Sequence, residues 1–540
     1  MLNEKEINEL LEMLTLDDMI GQMLCYYYSK KYSEDEVEEI VKRTKAGSFF
    51  ISNLEPERIK KCTEYMNKHT KIPGLIAADI ECGPGHIMEG EEKLTNPMSW
   101  GACDDPDLVE KGHIATAERC RQLGVHWSFS PIVDINYNSD NPVTNVRAIS
   151  DVPEQVAKIG VAAIRGLQKN GMIAAGCKHF PGDGVDDRNQ HFCTTVNTFS
   201  KEKWMDTFGY VYKEMFKAGV ASVMVAHIAL PAYDEKLNDW LGYPPASLSY
   251  NLQTKLLKGE LGFEGCIVSD ALSMVGACAV VPHDRLAVEY VKAGGDILLF
   301  PLPEYFDQIK DAVLSGEIPM ERIKDAARRI LHLKNKARLF DDQNEILNEI
   351  THAGEVPLYA DKIAEKSINI VRDHDNVLPL KLKKGDKILL LNIKKDKERT
   401  NTHYVTELDV LEEELKNRGF HVVSYTNATR EDFQDDLYNS QAVLINCKLS
   451  SQDYAGGSLR IGWDHILPFW RGEVLKHPKM VFTSFGDPYK IYDFPYLKTY
   501  VNAFSSSTAT QRAFVKALLG EIPFQGKSPV SLEGFFKSDV

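Results

Sequence analysis

IAAGCKHFPGDGVDDRNQH, residues 173–191, joins an apolar run to a turn-rich segment crowded with ionisable side chains. The run IAAGC is continuous rather than alternating, the pattern of a parallel strand covered on both faces. Lys178 and His179 stand at its C-terminal end, and Pro181, Gly182 and Gly184 turn the chain just beyond. A buried strand that delivers charge at its end points to a parallel sheet whose strand ends face a pocket.

The arrangement recurs in AGSFFI (46–51), GLIAAD (74–79), VHWSFSPIVD (125–134), ASVMVAH (221–227), GCIVSD (265–270) and GDILLF (295–300). Helical patterns separate these runs. Across 154–168, Val156, Ile159, Ala163, Ile164 and Leu167 share one face, behind Asp151 and Pro153 as start signals. Seven runs before residue 301, with one strand at the start or end of the series still to be found, predict a (β/α)₈-like TIM barrel. Asp79, Asp134, His179, His227 and Asp270 each end a run. In a parallel barrel those ends converge on one mouth, so carboxylates and imidazoles face a common pocket.

A chain of 540 residues exceeds what one hydrophobic core usually supports. The pattern shifts to charged helical segments and DNVLPLKLKKGDK around 341–385. Beyond it KILLLNI (387–393), HVVSY (421–425), AVLINC (442–447), MVFTSF (480–485) and TYVNAF (499–504) alternate with amphipathic helices such as 405–418. The expected organisation is a catalytic barrel domain at 1–345, a linker at 346–385 and a C-terminal α/β/α sandwich domain at 386–540.

The net charge of −15 argues against nucleic-acid and anionic-membrane partners, which need clustered Lys and Arg. The acidic, helical N-terminus MLNEKEINELLEMLTLDD lacks the features of a secretory signal, and no apolar stretch reaches the roughly 20 residues of a membrane span. The ten cysteines show no CxxC pair and read as reduced thiols of a cytoplasmic protein. No metal or organic cofactor is expected. G-x-S-x-G, P-loop and H-E-x-x-H motifs are absent. A carboxylate and an imidazole in one pocket suit acyl transfer, acetal cleavage or proton abstraction, and chemistry alone leaves that choice open. Each residue also has a plainer role: Asp270 as a helix cap, Lys178 and His179 as a satisfied buried pair, Arg147 as a brace for the acids, His227 as a core histidine.

Longer motifs narrow the choice. KHFPGDGVDDRNQH (178–191) resembles the K-H-F-P-G-H-G-x-T-x-x-D-S-H loop of the β-N-acetylhexosaminidase-like branch of glycoside hydrolase family 3. GFEGCIVSDALSM (262–274) is similar to its G-F-D-G-x-x-x-S-D-x-L-x-M. LTLDDMIGQML (14–24), SPIVDINYNSDNPVTNVRAIS (130–150), MVAHIALP (224–231), KAGGDILLFP (292–301), SFGDPY (484–489) and EIPFQGKSPVS (521–531) extend the likeness over nearly the whole chain.

The resemblance implies a retaining, exo-acting β-glycosidase in which Asp270 attacks the anomeric carbon and His191 moves the proton. It places Asp79, Arg147, Lys178 and His179 on the sugar, and His227 beside them. N-acetylglucosamine is the first expected sugar, with glucose or xylose behind it. Because some members of the branch are phosphorylases, phosphate joins a small carbohydrate as an expected partner. Three departures stand out: Asn189 where the branch has the aspartate that pairs with the histidine, Asp183 in place of a histidine, and Asp186 in place of a threonine. Asp183, Asp186 and Asp187 are therefore candidate substitutes for the missing carboxylate, and a sugar-binding protein with impaired catalysis is the non-enzymatic alternative. The segment ECGPGHIM (81–88) also lacks the arginines usual in the branch.

Overall fold

The strand missing from the series is LCYYY: Leu24–Tyr28 opens a ring of eight parallel strands in a computed structural model that describes residues 1–394, 407–449, 460–461 and 472–535. The eight are β1 (Leu24–Tyr28), β2 (Ser48–Ile51), β3 (Leu75–Ala78), β4 (Trp127–Ser128), β5 (Ala174–Phe180), β6 (Ser222–Val225), β7 (Cys266–Ser269) and β8 (Leu298–Leu299). Each pairs in parallel with the next from β1 to β7, and β8 pairs with β1. A parallel bridge between Val268 and Ile297 joins β7 to the start of β8, which brings the sheet close to full closure. The expected (β/α)₈-like barrel is therefore present. The tyrosines hid β1: an amphipathic side chain blurs an apolar run, although Tyr26 and Tyr28 are buried.

The helix expected over 154–168 spans Pro153–Leu167, with proline at its first turn. Asp151 does not start it, for no side chain caps that terminus. Its Oδ2 instead accepts the Ser531 N–H at 2.7 Å, tying the barrel to a segment near the end of the chain.

The second sheet has six strands: β9 (Asn369–Asp373), β10 (Lys387–Ile393), β11 (His421–Thr426), β12 (Ala442–Cys447), β13 (Met480–Ser484) and β14 (Thr499–Asn502). Their spatial order is β9-β14-β13-β12-β10-β11, and only the β9–β14 pair is antiparallel. β9 lies inside the segment taken from sequence as a linker. The helix expected over 405–418 is Asp409–Asn417, residues 405 and 406 falling outside the described residues.

The run KILLLNI shows how both faces are covered. Ile388 and Leu390 belong to the cluster that includes Leu411, Leu415 and Phe514 of the flanking helices. Leu389 and Leu391 belong to a second cluster with Phe433 and Phe482, which also takes in Met98, Ala102 and Val146 of the barrel half. Among the described residues no helix is long and apolar enough to cross a membrane.

The floor of the barrel is closed by one buried ammonium. Lys334, on the helix Met320–Lys336, donates to Gln22 Oε1 at 2.6 Å, Gly47 O at 2.9 Å and Pro73 O at 2.6 Å. Gly47 and Pro73 lie just before β2 and β3, so the contacts gather strand starts at the end opposite the mouth. Burial pushes the Lys334 ammonium down to about 7. Lys334→Met keeps the stem but leaves these acceptors without a donor, and should lower the unfolding free energy by about 2 kcal/mol, read as a lower urea midpoint. An unchanged midpoint would mean the ammonium's own desolvation cost cancels its bonds.

Candidate active site

A cavity of about 380 Å³ opens where the barrel strands end. Asp79, Arg147, Lys178, His179, Asn189, His191 and Asp270 all line it, having come from five separate stretches of chain. Phe50, Phe129 and Phe300 form an apolar wall, Phe50 stacked on Phe129 at 5.6 Å and set edge-on to Phe300 at 5.3 Å. All three lie within the apolar runs 46–51, 125–134 and 295–300, whose pattern does not mark them as cavity residues.

One end of the cavity is a cluster of two acids and two bases. Lys178 Nζ reaches Asp79 Oδ1 and Glu81 Oε1, each at 2.7 Å. Arg147 grips Glu81 with two bonds, Nε to Oε2 at 2.9 Å and Nη2 to Oε1 at 2.8 Å. Burial works to raise the Glu81 carboxyl, but Arg147 and Lys178 outweigh it and hold it well below the usual carboxylate range. Burial raises Asp79, and the Lys178 ammonium that pairs with it is shared with Glu81. Lys178 is held up by both acids against its own burial. Removing one partner from a buried pair typically costs about 3–5 kcal/mol, because the other charge is left alone. Glu81 was not singled out from sequence, although its spacing of two from Asp79 was the available signal. Arg147 thus both lines the cavity and braces an acid.

A second set of bonds fixes His179. Its ring Nδ1 donates to Asp134 Oδ2 at 2.6 Å, and its N–H to Asp134 Oδ1 at 3.1 Å. The same oxygen accepts the Asp183 N–H at 2.8 Å. With Nδ1 committed, His179 offers only Nε2 to the cavity.

Asp270 follows β7 directly, its N–H bonded to Val225 O and one carboxylate oxygen accepting the Ala271 N–H at 2.7 Å. Burial pushes this carboxyl up, yet the imidazoles of His179, His227 and His191 and the Ala271 N–H bring it below its ordinary value. The carboxylate form is therefore favoured at neutral pH.

His191 donates from Nδ1 to Asn189 Oδ1 at 2.6 Å, and its own N–H goes to the same oxygen at 2.9 Å. The amide thus selects one tautomer and turns Nε2 away from itself. It adds no charge to stabilise an imidazolium. Burial lowers the pKa of His191 further than the Asp270 carboxylate raises it. Asn189 Nδ2 is closed off from solvent with no partner among the described residues, a cost of about 1–3 kcal/mol in a buried amide.

His227 is not among the residues that line the cavity. Its Nδ1 meets Ser247 Oγ at 2.9 Å and its Nε2 meets Ala271 O at 3.0 Å, so both ring nitrogens are used inside the protein and brace the turn after Asp270. The candidate substitutes for the missing carboxylate do not face His191 either. Asp186 pairs with Arg188 at 2.5 Å and accepts the Val196 N–H, and Asp187 is exposed. Asp183 is 2% exposed on the Asp134 side, where burial and Asp134 push it up to about 6. Its bonds run to Asn141 and Gln190, two residues that sequence reading passed over.

A family model described as the glycosyl hydrolase family 3 N terminal domain matches residues 15–333. The chain is 29% identical over 534 residues to a Cellulomonas fimi protein named beta-N-acetylglucosaminidase/beta-glucosidase, with 95% of this chain and 93% of that one covered. It is 30% identical over 413 residues to beta-hexosaminidase A of Pseudoalteromonas piscicida, covering 68% and 69%. Two solved structures superpose over nearly their whole length. One is described as beta-glucoside phosphorylase BglX bound to 2FGlc, with TM-score 0.86, 30% identity and 98% and 97% coverage. The other is a glycoside hydrolase family 3 beta-N-acetylglucosaminidase from Paenibacillus sp. str. FPU-7, with TM-score 0.82, 25% identity and 96% and 98% coverage.

The Asn189–His191 contact yields a direct test. Asn189→Asp places a carboxylate against Nδ1 and should raise the imidazole pKa by about one unit or more, followed through the ring-proton NMR shift of His191. A titration unchanged from the wild type would show that burial alone sets this group.

Proposed function

This chain belongs to glycosyl hydrolase family 3 and is a glycoside hydrolase, and from that premise we propose that it removes a β-linked, non-reducing terminal N-acetylglucosamine with retention of configuration. Asp270 attacks the anomeric carbon, while Nε2 of His191 protonates the departing oxygen. A glycosyl-aspartate forms, and the neutral imidazole then draws the proton from the incoming water. Asp79, Lys178, His179 and Arg147 hold the sugar hydroxyls, and the phenylalanine wall covers an apolar face of the ring. The observation that carries the reading is that an ionised carboxylate and a tautomer-fixed imidazole line one cavity with a charged, hydroxyl-binding end. The choice of sugar rests on the names of the Cellulomonas and Pseudoalteromonas relatives. Glucose is second, because the Cellulomonas name carries both activities.

One observation favours phosphate as an alternative acceptor. Asn189 is neutral where a carboxylate would repel a phosphate anion close to the proton-transfer group, and a structural neighbour of matching length is a phosphorylase. A cytoplasmic location belongs to the same proposal, supported by ten free thiols.

Incubation with nitrophenyl β-N-acetylglucosaminide, with and without phosphate, tests the reading: free sugar marks hydrolysis, a sugar 1-phosphate marks phosphorolysis, and release of neither rejects both. Asp270→Asn should lose on the order of 10⁴-fold or more in kcat and abolish trapping by a 2-fluorosugar. Retained trapping would overturn the nucleophile. For an unactivated leaving group, His191 must be protonated, so kcat/KM should fall as pH rises through its depressed pKa, below the ordinary value near ~6.5. A profile flat to pH 8 would place the proton donor elsewhere.

A further inference from the structure

We propose that Asp183 is a positioning residue, one buried carboxylate that sets the loop carrying Arg147 and the loop carrying His191 against one another, beside the Asp134–His179 pair to which its backbone N–H is tied. The inference rests on the glycosidase reading of the cavity.

Three arms meet at this residue, one through its backbone and two through its carboxylate. Its backbone N–H donates to Asp134 Oδ1 at 2.8 Å, the oxygen that also receives the His179 N–H. Its Oδ1 accepts from Asn141 Nδ2 at 2.7 Å and from the Gly184 N–H at 2.7 Å. The carbonyl of the Asn141 side chain in turn accepts the N–H groups of Val143 and Thr144 at 2.9 and 2.8 Å, which shapes the turn leading into Arg147. Its Oδ2 accepts from Gln190 Nε2 at 3.4 Å, the longest of the set. Gln190 is buried between Asn189 and His191 in sequence, and its own carbonyl accepts the His227 N–H at 3.2 Å. Residues 181–194 hold no helix or strand beyond the described turns, so these bonds supply the order that regular structure would otherwise give.

The arrangement needs the carboxylate to be ionised. A protonated Oδ2 would present a donor to Gln190 Nε2, itself a donor, and Gln190 cannot flip without abandoning the His227 N–H. The charged and titratable groups around Asp183 are Asp134 and His179 from the strand ends, while Asp186 on its own loop is occupied by Arg188. Burial and Asp134 raise the Asp183 pKa, so the site is held at neutral pH and loosens as pH falls. Asp270, by contrast, is held below its ordinary value and stays ionised in weak acid. Asp183 then adds an acid limb to the rate profile that the nucleophile does not supply.

The test uses a dinitrophenyl β-N-acetylglucosaminide, whose leaving group departs without a proton, so that His191 protonation drops out. Wild-type kcat/KM should fall below about pH 6. Asp183→Asn should lose on the order of a hundredfold in kcat/KM at neutral pH, and its remaining activity should show no limb near that value. An active wild type matched by an Asp183→Asn enzyme with the same kcat/KM and the same limb overturns the inference alone. So does a variant that is merely less heat-stable with its pH profile unmoved. A wild type that cleaves no β-glycoside overturns the functional reading as well. Should Asp183→Asn fail to fold, Gln190→Met carries the test: it leaves the Asn141 arm intact, cuts the bond to Asp183 Oδ2 together with the one to the His227 N–H, and should reduce turnover of an unactivated glycoside about tenfold more than that of the dinitrophenyl one. Equal losses on both substrates would reject the arm.

Discussion

Charges taken out of water must be paired, and this constraint organises the mouth of the barrel. Glu81 has no access to solvent through its side chain and is neutralised by Arg147 and Lys178 together. Lys178 is in turn shared with Asp79, the most open member of the group. The pairing has a functional result: each charged side chain is fixed by another before any sugar arrives, so binding need not order long flexible groups. The same logic holds one strand further on, where Asp134 fixes His179 and leaves a single ring nitrogen to the cavity.

Much of this was legible in the sequence because a parallel barrel converts chain position into spatial position. Asp79, His179 and Asp270 end apolar runs, and the fold brings them to one mouth whatever the intervening helices do. His227 obeys the same rule of position yet serves a different end, since its ring is enclosed by Ser247 and Ala271. Strand-end placement names the level of a residue on the barrel, whereas the direction of its side chain depends on neighbours remote in the chain. Glu81, Asn141 and Gln190 were invisible for a related reason. Their importance lies in whom they touch, and amide side chains in loops carry no periodic signal. β1 was lost to its tyrosines, and β9 to its place inside a stretch rich in charge.

The three departures in the segment after β5 have separate physical meanings. Asn189 preserves the orienting bond to His191 while withholding charge. Asp186 closes an ion pair with Arg188 at the surface of the loop. Asp183 occupies the interior between Asp134 and the amides of Asn141 and Gln190. A carboxylate lost from one position and gained at two others is therefore not a simple relocation of the same role. The partner of His191 is electrically quieter for it, and the scaffold behind is more acidic.

Val146 belongs to the buried cluster built around the second sheet, and the next residue is Arg147. The segment 135–151 is also fastened at Ser150 and Asp151 to Pro529 and Ser531. The segment that carries Arg147 is thereby mortised into the joint between the two halves of the molecule. The guanidinium that steadies Glu81 takes its bearing in part from a wall that the barrel does not own.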